Sequence, residues 1–193
     1  LKVLKECGKK SEALSFSSDG KKLAIGGFDF KYYVYDVESD YKLLHTNDKH
    51  IAGITALDFS TNGKYIQSNC EQNELLYFDV EKGEQVTDND AVKDETWFTF
   101  TCKDSYPTQG IFPVDEDADF INSVSRDTAG KLLASGDDMG LVSVFRWPAL
   151  FGAEPRQYKA HSEHVGKVKW ATDSKRLFSV GGFDRTVMQW KVE

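Results

Sequence analysis

Self-similarity at a fixed spacing constrains this chain more than anything else in it. Phe16-Ser-Ser-Asp-Gly-Lys-Lys-Leu23 aligns with Phe59-Ser-Thr-Asn-Gly-Lys-Tyr-Ile66, and the match runs without a gap to Tyr35-Asp36 and Phe78-Asp79, an offset of 43 residues. A third copy carries Ala129-Gly130-Lys131-Leu132-Leu133 and closes at Phe145-Arg146-Trp147. A fourth carries Asp173-Ser174-Lys175-Arg176-Leu177 and closes at Trp190-Lys191. The turn positions 20, 63, 130 and 174 are separated by steps of 43, 67 and 44, so about 24 inserted residues precede the third copy.

Each copy reads as strand, tight turn, strand, turn, strand. Alternating side chains put every second residue on one face, and Gly, Asp and Asn supply the turn conformations. A period of about 40 to 45 residues built from short strands is the spacing of a four-stranded propeller blade. The expectation is therefore an all-β propeller of about four blades, at 13–44, 45–88, 114–158 and 159–193, with an insertion over 89–113. Because propellers of this kind usually close with about seven blades, the chain is expected to be a fragment. The remainder of its own propeller would then lie N-terminal to this segment.

The copies resemble the WD repeat, in which a Gly-His pair opens the unit and a Trp-Asp pair closes its third strand. In the fourth copy Ala160-His161 is followed by Ser179, by Asp184 in a turn, and by Trp190. The resemblance implies that His161, Ser179, Asp184 and Trp190 form a hydrogen-bonded relay within the blade. The second copy keeps His50 but places Gln72 at the aspartate position. The first keeps Asp29 but has Cys7 for the histidine, and the third has Asp117 there. Such departures suggest an atypical propeller that leans on packing more than on the relay.

A closer resemblance rests on Tyr65-Ile-Gln-Ser-Asn-Cys70, Trp97-Phe-Thr-Phe-Thr-Cys102, Gly110-Ile-Phe-Pro113, Ala134-Ser-Gly-Asp-Asp138, His161-Ser-Glu-His164 and Ser179-Val-Gly-Gly182. These look like the last blades of the second, atypical propeller of the EMAP-like (echinoderm microtubule-associated protein-like) family. The resemblance implies a non-enzymatic scaffold that docks tubulin, microtubules or microtubule-bound proteins, in the cytoplasm on the cytoskeleton or in a ciliary axoneme. The rival is a generic WD adaptor in a complex unrelated to microtubules.

Charge excludes some partners. The stretch from Val86 to Phe120 holds nine acidic and two basic residues and so carries the whole net charge of -7, while the rest of the chain is balanced. Nothing in that balance draws phosphate backbones, so nucleic acid is not expected as a partner. No apolar run approaches the ~20 residues of a membrane span, so the reading is a cytosolic chain with no membrane partner. The cysteines Cys7, Cys70 and Cys102 form no CxxC pair, and neither a disulfide framework nor a zinc cage is expected from their spacing.

Candidate sites for chemistry fail on spacing. His161, His164 and Cys102 lack a further ligand tied to them, so no metal is expected. Asp115, Asp117 and Asp119 mimic a calcium loop, but loop position six is Phe120 rather than Gly and position twelve is Arg126 rather than Glu. The Asp137-Asp138 pair falls where other copies turn. With no Ser-His-Asp order, phosphate loop or HExxH, no catalytic residue and no cofactor is expected.

Two features remain as candidate partner contacts. Lys21, Lys64, Lys131 and Lys175 follow the same turn in every copy and would line one rim facing an acidic partner such as tubulin. The insertion packs Trp97, Phe98, Phe100, Tyr106, Phe112 and Pro113 into a short stretch, and aromatic anchors favour binding hot spots. Trp97, Tyr106 and Phe112 are its expected contacts, while Trp97 to Cys102 alternates like a strand that augments a blade.

Overall fold

Alternating apolar residues bounded by Gly-Lys turns become short antiparallel strands wherever they occur. The computed structural model describes residues 2–112 and 121–192. It is all-β, and its four sheets are the four copies of the repeat, the blades of a β-propeller. The Asp115, Asp117 and Asp119 loop, and with it the third copy's Asp117, lies outside the described residues, as does Pro113. Among the described residues no helix is long and apolar enough to cross a membrane.

The chain divides into two units, Leu1–Asp104 and Ser105–Glu193. In the first, β1 (Ser11–Phe16), β2 (Lys22–Gly27), β3 (Tyr32–Asp36) and β4 (Lys42–Asn47) form one sheet in that order. The strands β5 (Ile54–Phe59), β6 (Tyr65–Cys70), β7 (Leu75–Asp79) and β8 (Gln85–Val86) form the next. Ala13, Ala24, Tyr32 and Val34 of the first sheet meet Ile54, Leu57, Phe59, Ile66 and Phe78 of the second in one apolar core. Tyr32 sets its ring edge-on to Phe78 at 4.9 Å. Burying side chains of this size contributes about 1.5–3 kcal/mol each, which makes the sheet-to-sheet contact the main source of stability in the unit.

In the second unit, β9 (Ile121–Arg126), β10 (Leu132–Asp137), β11 (Leu141–Arg146) and β12 (Arg156–Lys159) form a four-stranded sheet. The strands β13 (Val165–Trp170), β14 (Arg176–Gly181) and β15 (Val187–Lys191) form a three-stranded one. Ala134, Val142, Val165, Val168, Trp170 and Leu177 fill the space between them.

The same glycine governs how closely the sheets approach in both units. A Cβ on Gly26 would stand 2.5 Å from Ile54 Cγ2, and one on Gly136 would stand 2.6 Å from Val165 Cγ1. Only a residue without a side chain lets the neighbouring sheet's first apolar residue seat here. The inserted residues add two short 3-10 helices, Asn89–Ala91 and Tyr106–Ile111.

Candidate functional site

The β13–β15 sheet positions a complete relay around a buried histidine and serine. The chain before β13 brings His161 in, the middle of β14 supplies Ser179, the β14–β15 turn supplies Asp184, and β15 supplies Trp190. His161 Nδ1 lies 2.8 Å from Asp184 Oδ2 and its Nε2 lies 2.8 Å from Ser179 Oγ. Trp190 donates its indole N–H to Ser179 Oγ at 2.9 Å. Thr186, not singled out in the sequence, adds its hydroxyl 3.0 Å from His161 Nδ1 and donates to Asp184 Oδ1 at 2.9 Å. The backbone N–H of Thr186, together with His161 and the Thr186 hydroxyl, overcomes burial and holds the Asp184 carboxyl down at about 2.

Sequence order gave no Ser-His-Asp constellation, yet the structure brings these three side chains into that geometry. It has no nucleophile's access: Ser179 is fully buried and its oxygen already accepts from Trp190. A serine that no substrate can reach holds a blade together rather than attacking a carbonyl.

The second copy builds a different cluster on the same plan. His50 Nε2 lies 2.7 Å from Ser68 Oγ and its Nδ1 lies 3.2 Å from Glu74 Oε2. Glu74, two residues beyond Gln72, is the carboxylate the sequence reading missed, and Ile51 N–H also donates to it at 3.2 Å. The signal was present, since His50 and Ser68 are 18 apart, as are His161 and Ser179. Phe78 stands where the fourth copy has Trp190, so no indole N–H reaches Ser68. Burial pushes the His50 imidazole below its ordinary value. Burial also pushes Glu74 up, but hydrogen bonds from Ile51, Cys70 and His50 outweigh it and leave the carboxyl below its usual range.

The first copy has no histidine, and Asp29 Oδ2 instead accepts from Gly8 N–H at 3.0 Å and from the Tyr33 hydroxyl at 2.7 Å. Cys7, at the histidine position, donates its thiol to Lys9 O at 3.2 Å. In the third copy Ser135 is buried at the relay serine's position. Asp137 accepts from Met139 and Leu141 N–H at 2.9 and 2.8 Å, and Asp138 accepts from Asn122 at 2.7 Å, so this pair shapes the turn. The His164 ring meets Phe183 edge-on at 5.0 Å.

The insertion is anchored by a residue that sequence reasoning overlooked. Asp58, fully buried near the end of β5, accepts from Thr99 Oγ1 at 2.6 Å, Thr101 N–H at 2.8 Å and Thr101 Oγ1 at 3.0 Å. It also accepts from Cys102 N–H and Gln67 Nε2, both at 3.1 Å. Five donors on one buried carboxylate satisfy it without a cation. Trp97 to Cys102 does not form the expected ladder strand. It makes one isolated bridge, Trp97 to Ser60, and Asp58 takes over the accepting role that strand carbonyls would have.

The expected aromatic contacts divide. Trp97 is only 9% exposed and stacks on Tyr77 at 5.9 Å, so its surface is used inside its own unit rather than offered to a partner. Phe112 packs against the apolar cluster of Ile111, Ile121, Val124, Leu133, Phe145 and Ala149. Tyr106 is 70% exposed and Phe98 48% exposed.

The four turn lysines are exposed, and two of them stand beside carboxylates. Lys21 pairs with Glu38 at 3.0 Å, and Lys64 lies 4.8 Å over the Tyr65 ring with Asp79 and Glu95 nearby. In each unit the turns of neighbouring sheets touch. Ser18 donates to Thr61 O at 2.7 Å, near Lys21 and Lys64, and Thr128 donates to Thr172 O at 2.8 Å, near Lys131 and Lys175.

Comparison with known proteins adds to this geometry. The family model of the echinoderm microtubule-associated protein second β-propeller matches residues 1–192. The ciliary WD repeat-containing protein ctxp80 of Euplotoides octocarinatus is 39% identical over 191 residues, covering 98% of this chain and 26% of that protein. The 77 kDa echinoderm microtubule-associated protein of Strongylocentrotus purpuratus is 35% identical, covering 94% of this chain and 27% of that protein. Echinoderm microtubule-associated protein-like 1 of Homo sapiens is 36% identical, with 93% and 22% covered. The chain thus spans about a quarter of the length of the curated relatives it matches. Among solved structures, a chain of a mitotic checkpoint complex superposes with a TM-score of 0.57 at 16% identity, covering all of this chain and 52% of that one. At that identity the likeness shows the fold alone.

Proposed function

The chain belongs to the echinoderm microtubule-associated protein family, within its second β-propeller, and on that premise we propose that it is a non-enzymatic scaffold that docks microtubules or microtubule-bound proteins. The observation that carries this reading is the insertion: a family-specific segment gripped from beneath by Asp58, with Phe98 held outward. Exposed aromatic side chains on a rigid support favour binding contacts, because little conformational freedom is lost on docking. The turn lysines are a weaker support, since carboxylates beside them turn the surface into one of mixed charge. The relay offers no open nucleophile, which accords with docking rather than bond chemistry. The place of action follows from the partner: the microtubule cytoskeleton of the cytoplasm, including the axoneme where a cilium is built.

The test is co-sedimentation with polymerised microtubules, using the protein with its native flanking sequence. Specific pelleting should fall several-fold in the double variant Phe98→Ser, Tyr106→Ser and fall less on reversing Lys21, Lys64, Lys131 and Lys175. Equal pelleting with and without microtubules would overturn the reading in favour of an adaptor for another complex.

A further inference from the structure

The two histidine clusters occupy equivalent places in their sheets, yet Gln72 stands at the place of the relay aspartate Asp184 and three further substitutions separate them. Cys70 stands where the fourth copy has Gly181, Glu74 where it has Thr186, and Phe78 where it has Trp190. Each change alters what the histidine can bind. In the fourth copy Ser179 accepts from Trp190 and lies 2.8 Å from His161 Nε2, while His161 Nδ1 faces both Asp184 and Thr186. In the second copy Phe78 replaces the indole and Ser68 Oγ lies 2.7 Å from His50 Nε2, where it can accept the ring hydrogen when Nδ1 binds an ion. His50 Nδ1 lies 3.2 Å from Glu74 Oε2, and the Cys70 thiol donates to the same carboxylate oxygen at 3.4 Å. Three possible ligand atoms of different types thus lie within 4.8 Å of one another.

We propose that His50, Cys70 and Glu74 form a zinc site. Zinc takes imidazole nitrogen, thiolate sulfur and carboxylate oxygen in tetrahedral arrays, and bonds of about 2.0–2.3 Å set the ligand atoms roughly 3.3–3.8 Å apart. Two of the three edges, 3.2 and 3.4 Å, already stand close to those lengths. The Ser68 hydroxyl is the outer partner that fixes the ring, a role that metal-bound histidines regularly require. His50 and Cys70 are buried while the Glu74 side chain is 29% exposed, which leaves one side for entry of the ion and for a water as fourth ligand. On binding, the Cys70 thiol releases its proton to solvent and the sulfur binds as thiolate. The ion joins the loop that carries His50 to β6 and to the β6–β7 turn, in a sheet whose outer strand β8 is two residues long.

The test uses the protein with its native flanking sequence, freed of metal and titrated with zinc, magnesium and, as a spectroscopic probe, cobalt(II). Zinc should raise the melting temperature at one ion per chain while magnesium leaves it unchanged. Cobalt should give a thiolate-to-metal charge-transfer band in the near ultraviolet that zinc displaces. Cys70→Ser should abolish that band, and Glu74→Gln should weaken zinc binding about a hundredfold or more, since even outer partners are worth about 10- to 100-fold. Cys7→Ser should change neither. Cys70→Ser removes a single thiol hydrogen bond and is expected to fold, and far-ultraviolet circular dichroism checks both variants. An absent band, a band that survives Cys70→Ser or one that vanishes with Cys7→Ser overturns the proposal, as does a magnesium effect equal to that of zinc.

Discussion

The β5–β8 sheet and the β13–β15 sheet descend from one repeat, yet they solve the same problem with different chemistry. The fourth copy keeps its polar groups inside, where His161, Ser179, Asp184 and Trp190 satisfy one another. The second spreads its polar groups over two places: the His50 cluster, and Asp58, which reaches outward to hold the insertion. The position of Asp58 belongs to Ser15 in the first copy, Ser125 in the third and Lys169 in the fourth. Ser125 accepts from Trp170 N–H of the adjacent sheet at 3.3 Å, so this position is where a blade greets whatever lies on that face. In the second copy the insertion is what lies there, and a full carboxylate replaces a hydroxyl to meet its several donors. A repeat thus keeps its backbone plan while changing one side chain to accept a new neighbour.

The comparison breaks most visibly at that equivalent pair. Asp58→Ala leaves five donors without their acceptor, and unfolding by urea should show a loss of more than about 3 kcal/mol. Lys169→Ala, at the same place in the fourth copy where the side chain is exposed, should stay within about 0.5 kcal/mol. Equal losses would mean that Asp58 is not the anchor.

A second substitution makes the fourth copy resemble the second. Trp190→Phe removes the N–H that Ser179 accepts and should cost about 0.5–1.5 kcal/mol, read from the shift in the denaturation midpoint. An unchanged midpoint would show that the indole contributes packing alone.

The smallest effect concerns acid. The Asp184 carboxyl is held at about 2 against an ordinary 3.8, so the folded state favours its ionised form, and that contribution is present above 3.8 and lost as pH falls toward 2. The stability gap between the native protein and Asp184→Asn should therefore narrow across that window. A gap independent of pH would mean that the Thr186 and His161 contacts do not favour the charged form.

How much of this was legible beforehand depends on what the repeat itself encodes. The period of strands and Gly-Lys turns gave the four sheets, because turn geometry and alternation are local properties. His161, Ser179, Asp184 and Trp190 were readable because they keep the repeat's own residue types. Glu74 was not, because attention went to the turn position of Gln72, and a longer side chain two residues on reached the same histidine. Asp58 hid inside a strand among Leu57 and Phe59, where three other copies offered no acid for comparison. Trp97 looked like a surface anchor by composition, but the partner for its ring, Tyr77, lies two strands away from β5 and only the folded sheet brings it close.

Asp58 holds the insertion through the amides of Thr101 and Cys102 and through two threonine hydroxyls, with no grip on the outward side chains. The segment is in that sense a socketed cartridge. The mount depends on backbone amides and threonine hydroxyls rather than on the aromatic side chains, so the framework and the surface it presents rest on different residues.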